Sequence, residues 1–338
     1  MNFIILGAGA VGCYVGGRMA AAGERVALVG RQQAMAPVLQ SGLTVTDLDG
    51  FEAQVPAGQL HVTTQLQEAW ARLDSNGTPT VILLCVKGGA TSSAAREIAA
   101  CCPEGTVVLS LQNGVDNVAR INTAAPAVQA VAGMVPYNVV MKTPTHVHRA
   151  TTGRLHMGQS PLSDQIAARF NAAGLSMRVV PDMRAVQWGK LLLNLNNPIN
   201  ALSSLPLREQ LLNRDFRRIL AALQLEALAA MTAAGIEPVQ LAAAPPRTLP
   251  RVLKLPNWIF TRVASRMLRM DASARSSMWD DVQKNRKTEI DDMCGAVVRL
   301  AAQTDTKSPC NAAMCALIDG HKKDQLWTGK ALRKALKV

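Results

Sequence analysis

Asn2-Phe3-Ile4-Ile5-Leu6-Gly7-Ala8-Gly9-Ala10-Val11-Gly12 is an apolar run that ends in a glycine string. The run follows no basic residue and meets glycine at once, so it reads as a buried first strand and not as a signal sequence. The string has the spacing G-x-G-x-x-G and opens a helical pattern that ends near Gly23. Such a string is common by itself; between a strand and a helix it acquires a mechanism. The first glycine permits the tight turn, the second lets backbone approach a pyrophosphate, and the third lets the helix pack on the strand. The N–H groups and positive dipole end of the helix then face the phosphates. Gly7, Ala8, Gly9, Ala10, Val11 and Gly12 are therefore the candidate pyrophosphate contacts.

The second strand, predicted at residues 25–29, runs into Gly30-Arg31. Sites for NAD commonly place an Asp or Glu here to accept from the ribose 2′-hydroxyl. Arg31 would instead pair with a 2′-phosphate in a forked geometry, so NADPH is the expected cofactor. Two further residues stand at predicted strand ends, on the edge where such ligands bind: Lys87 after residues 80–86 and Asn113 after residues 107–111. The Asn113 amide can donate to and accept from a ribose or a substrate oxygen, while Asn113-Gly114 is equally an ordinary turn pair.

Outward from there, short apolar runs alternate with helical stretches as far as residue 180, with a further strand at 128–135. Asp49-Gly50 predicts a hairpin turn. Thr152-Gly153 predicts another, joining residues 145–149 to 155–158 as antiparallel edge strands that close the sheet. Beyond Pro181 the strand signals stop, and helical patterns cover residues 184–195, 209–234 and 288–303, with Ser308 as N-cap and Pro309 as first residue of another helix. The expected fold is α/β: an N-terminal Rossmann-type parallel-sheet domain over residues 1–180, followed by an all-helical C-terminal domain over residues 181–338. In one more helical pattern, residues 258–270, Ile259, Val263, Met267 and Met270 share a face while Arg262, Arg266 and Arg269 share another. A docked helix with a solvated basic face is favoured there over a helix lying on a membrane.

The second half contributes Trp188-Gly189-Lys190-Leu191-Leu192-Leu193-Asn194-Leu195-Asn196-Asn197-Pro198. On a helix, Lys190, Asn194 and Asn197 would form a single polar stripe in an apolar segment. A lone lysine among leucines usually reaches for solvent; two amides in line with it point to a ligand instead. Farther on, Thr288 predicts an N-cap that puts Glu289 in a first helical turn. Acids in that position are often only partners of the helix dipole, and the residues alone favour that reading.

Composition narrows the function classes. A chain of 338 residues suits two domains, and no stretch approaches the ~18 uninterrupted apolar residues of a membrane span. The net charge of +12 is uneven: residues 1–180 hold 12 Lys and Arg against 10 Asp and Glu, residues 181–338 hold 24 against 14. With 4% aromatic residues and no nucleic-acid motif, this field suits a polyanionic dinucleotide and a carboxylate substrate, with neither nucleic acid nor membrane as partner. Seven cysteines, odd in number and without a C-x-x-C pair, read as reduced, packed thiols of a cytoplasmic protein. His146, His148 and His156 have no nearby carboxylate or cysteine to complete a metal site, and read as edge-strand residues. The oligomeric state stays open, a homodimer being allowed.

In order and spacing, GAGAVG at 7–12, Arg31, VK at 86–87, QNG at 112–114, WGKLLLN at 188–194, and SSMWDD with RKTEID across 276–291 resemble the ketopantoate reductases, or 2-dehydropantoate 2-reductases, over nearly the whole chain. The closing SSM and TEID pieces are the most diagnostic. The resemblance implies NADPH-dependent reduction of the small 2-oxo acid ketopantoate to pantoate, a step towards pantothenate and coenzyme A. It puts Lys190 in the family's catalytic position, protonating the carbonyl oxygen as hydride reaches its carbon, and makes Glu289 the family's active-site glutamate. By the same resemblance Asn113 sits by the nicotinamide ribose, Val139 touches NADPH near a strand end, and Asn194, Asn197 and Ser277 hold the substrate. Asn197-Pro198 comes one residue earlier than in relatives, residues 205–209 lack a polar Asn-Gly-Glu pattern, and Ala274 replaces an asparagine. The chemistry is thus held more closely than the substrate. Another branched 2-oxo acid is the alternative substrate; an NADPH-binding regulatory protein without turnover is the alternative class, against which Lys190 and Glu289 together argue.

Overall fold

The computed structural model describes residues 1–73, 77–265, 268 and 274–338. The chain divides into two compact units, Met1–Met183 and Arg184–Val338.

The first unit carries strands β1 (Asn2–Leu6), β2 (Arg25–Val29), β3 (Leu43–Asp47), β4 (Glu52–Val55), β5 (Leu60–Thr63), β6 (Thr80–Leu84), β7 (Val107–Ser110), β8 (Gln129–Met134), β9 (Val139–Thr143), β10 (His146–Arg149), β11 (Leu155–Met157) and β12 (Met177–Val179). Its helices are α1 (Ala10–Ala21), α2 (Gln32–Ser41), α3 (Leu66–Leu73), α4 (Thr91–Cys101), α5 (Asn117–Ala124) and α6 (Ser163–Ala172). Strands β5-β2-β1-β6-β7-β8 run parallel in that spatial order, the doubly wound arrangement in which ligands sit where the order reverses, at the carboxyl ends of β1 and β6. Helices cover both faces of such a sheet, so its strands are apolar throughout and do not alternate. Phe3, Ile5, Val81 and Leu83 enter one core, Ile4, Leu6, Ile82 and Leu84 the other. The sheet extends through β11, antiparallel to β8, and β12, parallel to β11.

The expected hairpin at Asp49-Gly50 is present between β3 and β4, with Gly50 at φ 91°. The expected pairing of residues 145–149 with 155–158 is not. β10 lies parallel to β3 in a second sheet of order β4-β3-β10-β9, whereas β11 belongs to the main sheet. A charged cluster draws β10 away from β11. Arg149, the last residue of β10, donates to the Tyr14 hydroxyl of α1 at 2.9 Å and to Asp47 of β3 at 3.1 Å, and also pairs with Asp49. Arg18 of α1 donates to the same Asp47 carboxylate at 3.0 Å and to the Ala173 carbonyl at 2.8 and 3.0 Å, with Phe51 stacked beneath it. Burial opposes charge on Asp47, yet the N–H groups of Phe51 and Asp49 and the Arg149 guanidinium outweigh it and hold its carboxyl below the ordinary range.

Among its described residues the second unit contains helices and no strand: α7 (Met183–Asn194), α8 (Asn196–Ser203), α9 (Leu207–Leu212), α10 (Arg214–Ala233), α11 (Leu249–Lys254), α12 (Asn257–Val263), α13 (Ser277–Gln283), α14 (Cys294–Gln303), α15 (Pro309–Asp319) and α16 (Gly329–Leu336). No helix among the described residues is long and apolar enough to cross a membrane. The pattern at 209–234 is two helices, broken at Asn213, whose side chain accepts from Asp215 N–H and caps α10. Ser308 does occupy the N-cap of α15, but Glu226 of α10 makes the bonds, accepting from Cys310 and Asn311 N–H at 2.8 and 2.9 Å. In the basic segment the helix ends at Val263; Phe260 and Ala264 face inward while Trp258 and Val263 are exposed, contrary to the expected apolar face. Arg266, Met267, Arg269 and Met270 lie outside the described residues.

Two consequences are measurable. Asp47→Asn leaves the buried Arg18 without its counter-charge and Arg149 with only the exposed Asp49, and its unfolding free energy in denaturant titration is expected to drop by about 3–5 kcal/mol at neutral pH. Because the folded-state pKa of Asp47 is depressed, its contribution is full above the unfolded value and vanishes as pH falls through the folded one; the variant's deficit should shrink correspondingly in acid. In the glycine string, a Cβ on Gly12 would lie 2.4 Å from the Gly7 carbonyl oxygen, whereas one on Gly9 would meet nothing within 4 Å. Gly12→Ala is thus expected to destabilise by about 1–3 kcal/mol and Gly9→Ala to melt like the wild type.

Candidate active site

The glycine string forms the turn from β1 to α1. Gly7 sits at φ 107°, and a Cβ there would press on the Val86 nitrogen at 2.5 Å, so only glycine lets the two strand ends close up. Gly7 and Ala8 N–H bond to the Val29 carbonyl at 3.0 and 3.1 Å, which ties the turn to the end of β2. Ala8 is buried, Ala10 and Val11 are half-buried, and Gly9 is exposed at the N-cap of α1. That helix has no side-chain cap and no acid in its first turn, the arrangement that leaves N–H groups and dipole available to an anion. Arg31 follows the end of β2 as the N-cap of α2, with an exposed side chain.

The neighbouring strand ends are held by a buried amide network. Gln112 donates to the Val86 carbonyl and to the Thr91 hydroxyl, both at 2.8 Å, and accepts from Ser110 at 2.9 Å. Thr91 donates to Asn117 at 3.0 Å, and Asn117 donates to the Asn113 carbonyl at 2.7 Å. With Gly114 at φ 97°, this clamps Lys87 and Asn113 at adjacent strand ends, the lysine exposed and the asparagine half-buried. Gln112 and Asn117 are framework that the sequence analysis overlooked. The signal was a glutamine between an apolar strand and an Asn-Gly turn, where a buried amide must be bonded to something. Val139 stands elsewhere: it opens β9 of the second sheet, paired with Arg149.

In the second unit Lys190 lies in the third turn of α7, half-buried, and burial pushes its ammonium down to about 8. Asn194 ends that helix. The expected stripe breaks there, because Pro198 has no N–H to give the Asn194 carbonyl, and a new helix, α8, starts at Asn196. Asn197 is consequently on α8, where its amide lies 3.8 Å from the Met293 sulfur and its carbonyl accepts from the Ser276 hydroxyl at 3.3 Å. Ser276 caps α13, accepting from Trp279 N–H at 3.2 Å, and leaves Ser277 exposed as the first helical residue.

Glu289 is half-buried but not in an α-helical first turn. It heads a tight turn over Ile290–Asp292, in which Asp292 and Met293 N–H bond three residues back, and α14 begins only at Cys294. Met293 connects this turn to Asn197, so α8 meets both the Ser276–Ser277 segment and the segment of Glu289. Behind α8, fully buried Asn200 accepts from Ser276 N–H at 2.9 Å and donates to Gln210 at 3.0 Å and to the Leu205 carbonyl at 2.8 Å; Gln210 donates to Asn196 at 2.6 Å. Neither Asn200 nor Gln210 was singled out in the sequence, where both look like ordinary polar residues of amphipathic helices. His146 and His148 both bond the Thr46 hydroxyl, at 2.9 and 2.8 Å, while His156 belongs to the other sheet. Among the described residues no group of three His, Cys, Asp or Glu could hold a metal ion.

Residues 3–161 match the family model "Ketopantoate reductase PanE/ApbA" and residues 182–322 its C-terminal companion. A 2-dehydropantoate 2-reductase of Halobacterium salinarum is 26% identical over 333 residues, covering 96% of this chain and 100% of that protein. The crystal structure of a PanE/ApbA family ketopantoate reductase from Ralstonia eutropha superposes with a TM-score of 0.79 at 26% identity, over 94% of this chain and 97% of that one. A D-mandelate dehydrogenase, solved with NADH and anilino(oxo)acetate, shares the fold at 18% identity and TM-score 0.74, each chain covered in full at 100%. With family models matching both of its units and relatives aligned along nearly its whole length, this chain belongs to the ketopantoate reductase family.

Proposed function

We propose that this chain reduces 2-dehydropantoate to pantoate with NADPH, using Lys190 as the general acid. The observation that carries the reading is the place of Lys190 on α7 of a ketopantoate reductase, between buried Trp188 and Leu191, where burial pushes its ammonium down to about 8. A general acid works best with a pKa near the working pH. NADPH, when bound, supplies the hydride. Lys190 stabilises the negative charge that builds on the carbonyl oxygen and donates its proton there, leaving an amine that water reprotonates. Asn194, Asn197 and Ser277 hold the polar groups of the substrate, and Glu289 orients bound groups around the reacting carbon.

The residues of the first unit fit the dinucleotide. Space at Gly9 lets backbone approach a pyrophosphate, residues 7–12 line that approach, and the uncapped, acid-free first turn of α1 faces the negative charge. The exposed Arg31 takes the 2′-phosphate; the mandelate dehydrogenase was solved with NADH, and this arginine is the reason to expect NADPH here. Asn113 contacts the nicotinamide ribose, with Lys87 and Val139 as further cofactor contacts. A second substrate reading has its own support: with Asn197 engaged by Met293, one amide is diverted from the substrate, which favours another branched 2-oxo acid. Turnover of 2-dehydropantoate beside 2-oxoisovalerate decides between them.

Arg31→Ala should lose about tenfold to a hundredfold of its preference for NADPH over NADH, the value of a charge-assisted contact. A cofactor ratio equal to that of the wild type would remove Arg31 from the site. Lys190→Ala should lower kcat by at least about a hundredfold while NADPH binding, followed by fluorescence, is retained. Lys190 acts while protonated, so wild-type kcat should decline as pH rises through about 8. A kcat that climbs over that interval would exclude Lys190 as the acid.

A further inference from the structure

Buried guanidinium groups in this chain come with acceptors. Arg18 and Arg149 share Asp47, and Arg217, fully buried, donates to the carbonyls of Leu211, Leu212, Leu253 and Leu255 and to Asn257. Arg275 departs from the pattern: its Nη1 is buried and has no hydrogen-bond acceptor among the described residues. A donor of this kind is costly unless an acceptor reaches it, and a charged one most of all.

The group is also fixed in direction. Its guanidinium carbon lies 4.7 Å from the centre of the Trp279 ring, and that indole is anchored through Nε1 to the Ser204 hydroxyl at 2.8 Å. Ser276, between Arg275 and Ser277, is extended at φ −79° and ψ 156°, with its hydroxyl turned towards the Asn197 carbonyl. Residues flanking an extended residue project to the opposite side, so Arg275 and the exposed Ser277 share a side. A planar guanidinium set over an indole, with one buried nitrogen lacking an acceptor among the described residues, is suited to a planar anion with two equivalent oxygens.

We propose that Arg275 anchors the carboxylate of the substrate and thereby restricts this chain to 2-oxo acids over uncharged ketones. The proposal rests on the reductase reading of the same site and adds the group that recognises the acid. Arg275→Met keeps bulk over Trp279 and removes the fork; Arg275→Lys keeps the charge alone. For 2-oxoisovalerate, KM should rise about tenfold to a hundredfold in Arg275→Met and less in Arg275→Lys. For its methyl ester, which has no carboxylate charge, KM should stay at the wild-type value, as should NADPH affinity. Equal losses with acid and ester would make Arg275 a packing residue for Trp279 and overturn the proposal, as would an unchanged KM for the acid. If the wild type turned over none of 2-dehydropantoate, 2-oxoisovalerate and the ester, the reductase reading would fail by itself. Calorimetric titration of wild type and Arg275→Met with acid and ester would then decide on the anchor: selective loss of acid binding supports it, and equal binding to both proteins overturns it.

Discussion

The first unit depends on one contact in which no side chain is tolerated: Gly12 against the carbonyl oxygen of Gly7, at a separation that a Cβ would close to 2.4 Å. That contact seats α1 directly on β1. Everything α1 then carries follows from its position. Its uncapped first turn is aimed beyond the carboxyl ends of the strands, and its later turns present Tyr14 and Arg18 to the second sheet. The glycine string therefore shapes the anion site and, through α1, also places the charged cluster at Asp47 that recruits β10.

In both units the residues proposed for chemistry are carried by buried amides that do none of it. Gln112 and Asn117 clamp the ends of β6 and β7, and Asn200 and Gln210 clamp α8 against the start of α13. One such bond contributes only ~0.5–1.5 kcal/mol net, but leaving a buried partner unbonded costs more than making the bond gains. The value of these networks is accordingly in uniqueness. A strand end or helix start shifted by one residue would strand several donors at once, so Asn113 and Ser277 are each presented in a single way.

Positive charge in this chain is divided between two uses. Arg18, Arg149 and Arg217 are consumed in holding the fold, each surrounded by carbonyl, amide or carboxylate acceptors. Lys190 belongs to the other group, since burial lowers its ammonium to about 8 and so makes its proton available near neutral pH. The excess of Lys and Arg in residues 181–338, 24 against 14 Asp and Glu, adds a field of the sign that attracts the anions such an enzyme handles.

The sequence by itself determined whatever depends on neighbours a few residues away. The run from Phe3 to Gly12, Asp49-Gly50, the loss of strand signals beyond Pro181 and the motifs containing Arg31, Lys190 and Glu289 are local patterns, and their spacing was enough to recognise a parallel-sheet domain, a helical domain and the family. Tertiary structure decided what depends on distant partners. Arg149 ties β10 to β3 of the second sheet by bonding Asp47, 102 residues earlier, and no turn signal at Thr152-Gly153 could outweigh that. Ser276 is fixed by Asn200, 76 residues before it, and Asn197 meets Met293, 96 residues on. The break between α7 and α8 was present locally in Pro198, but where Asn197 turned after it was set by packing. Strand, helix and turn preferences are properties of short windows; the partner of a buried donor is chosen by the whole fold, because only the folded chain brings an acceptor to it.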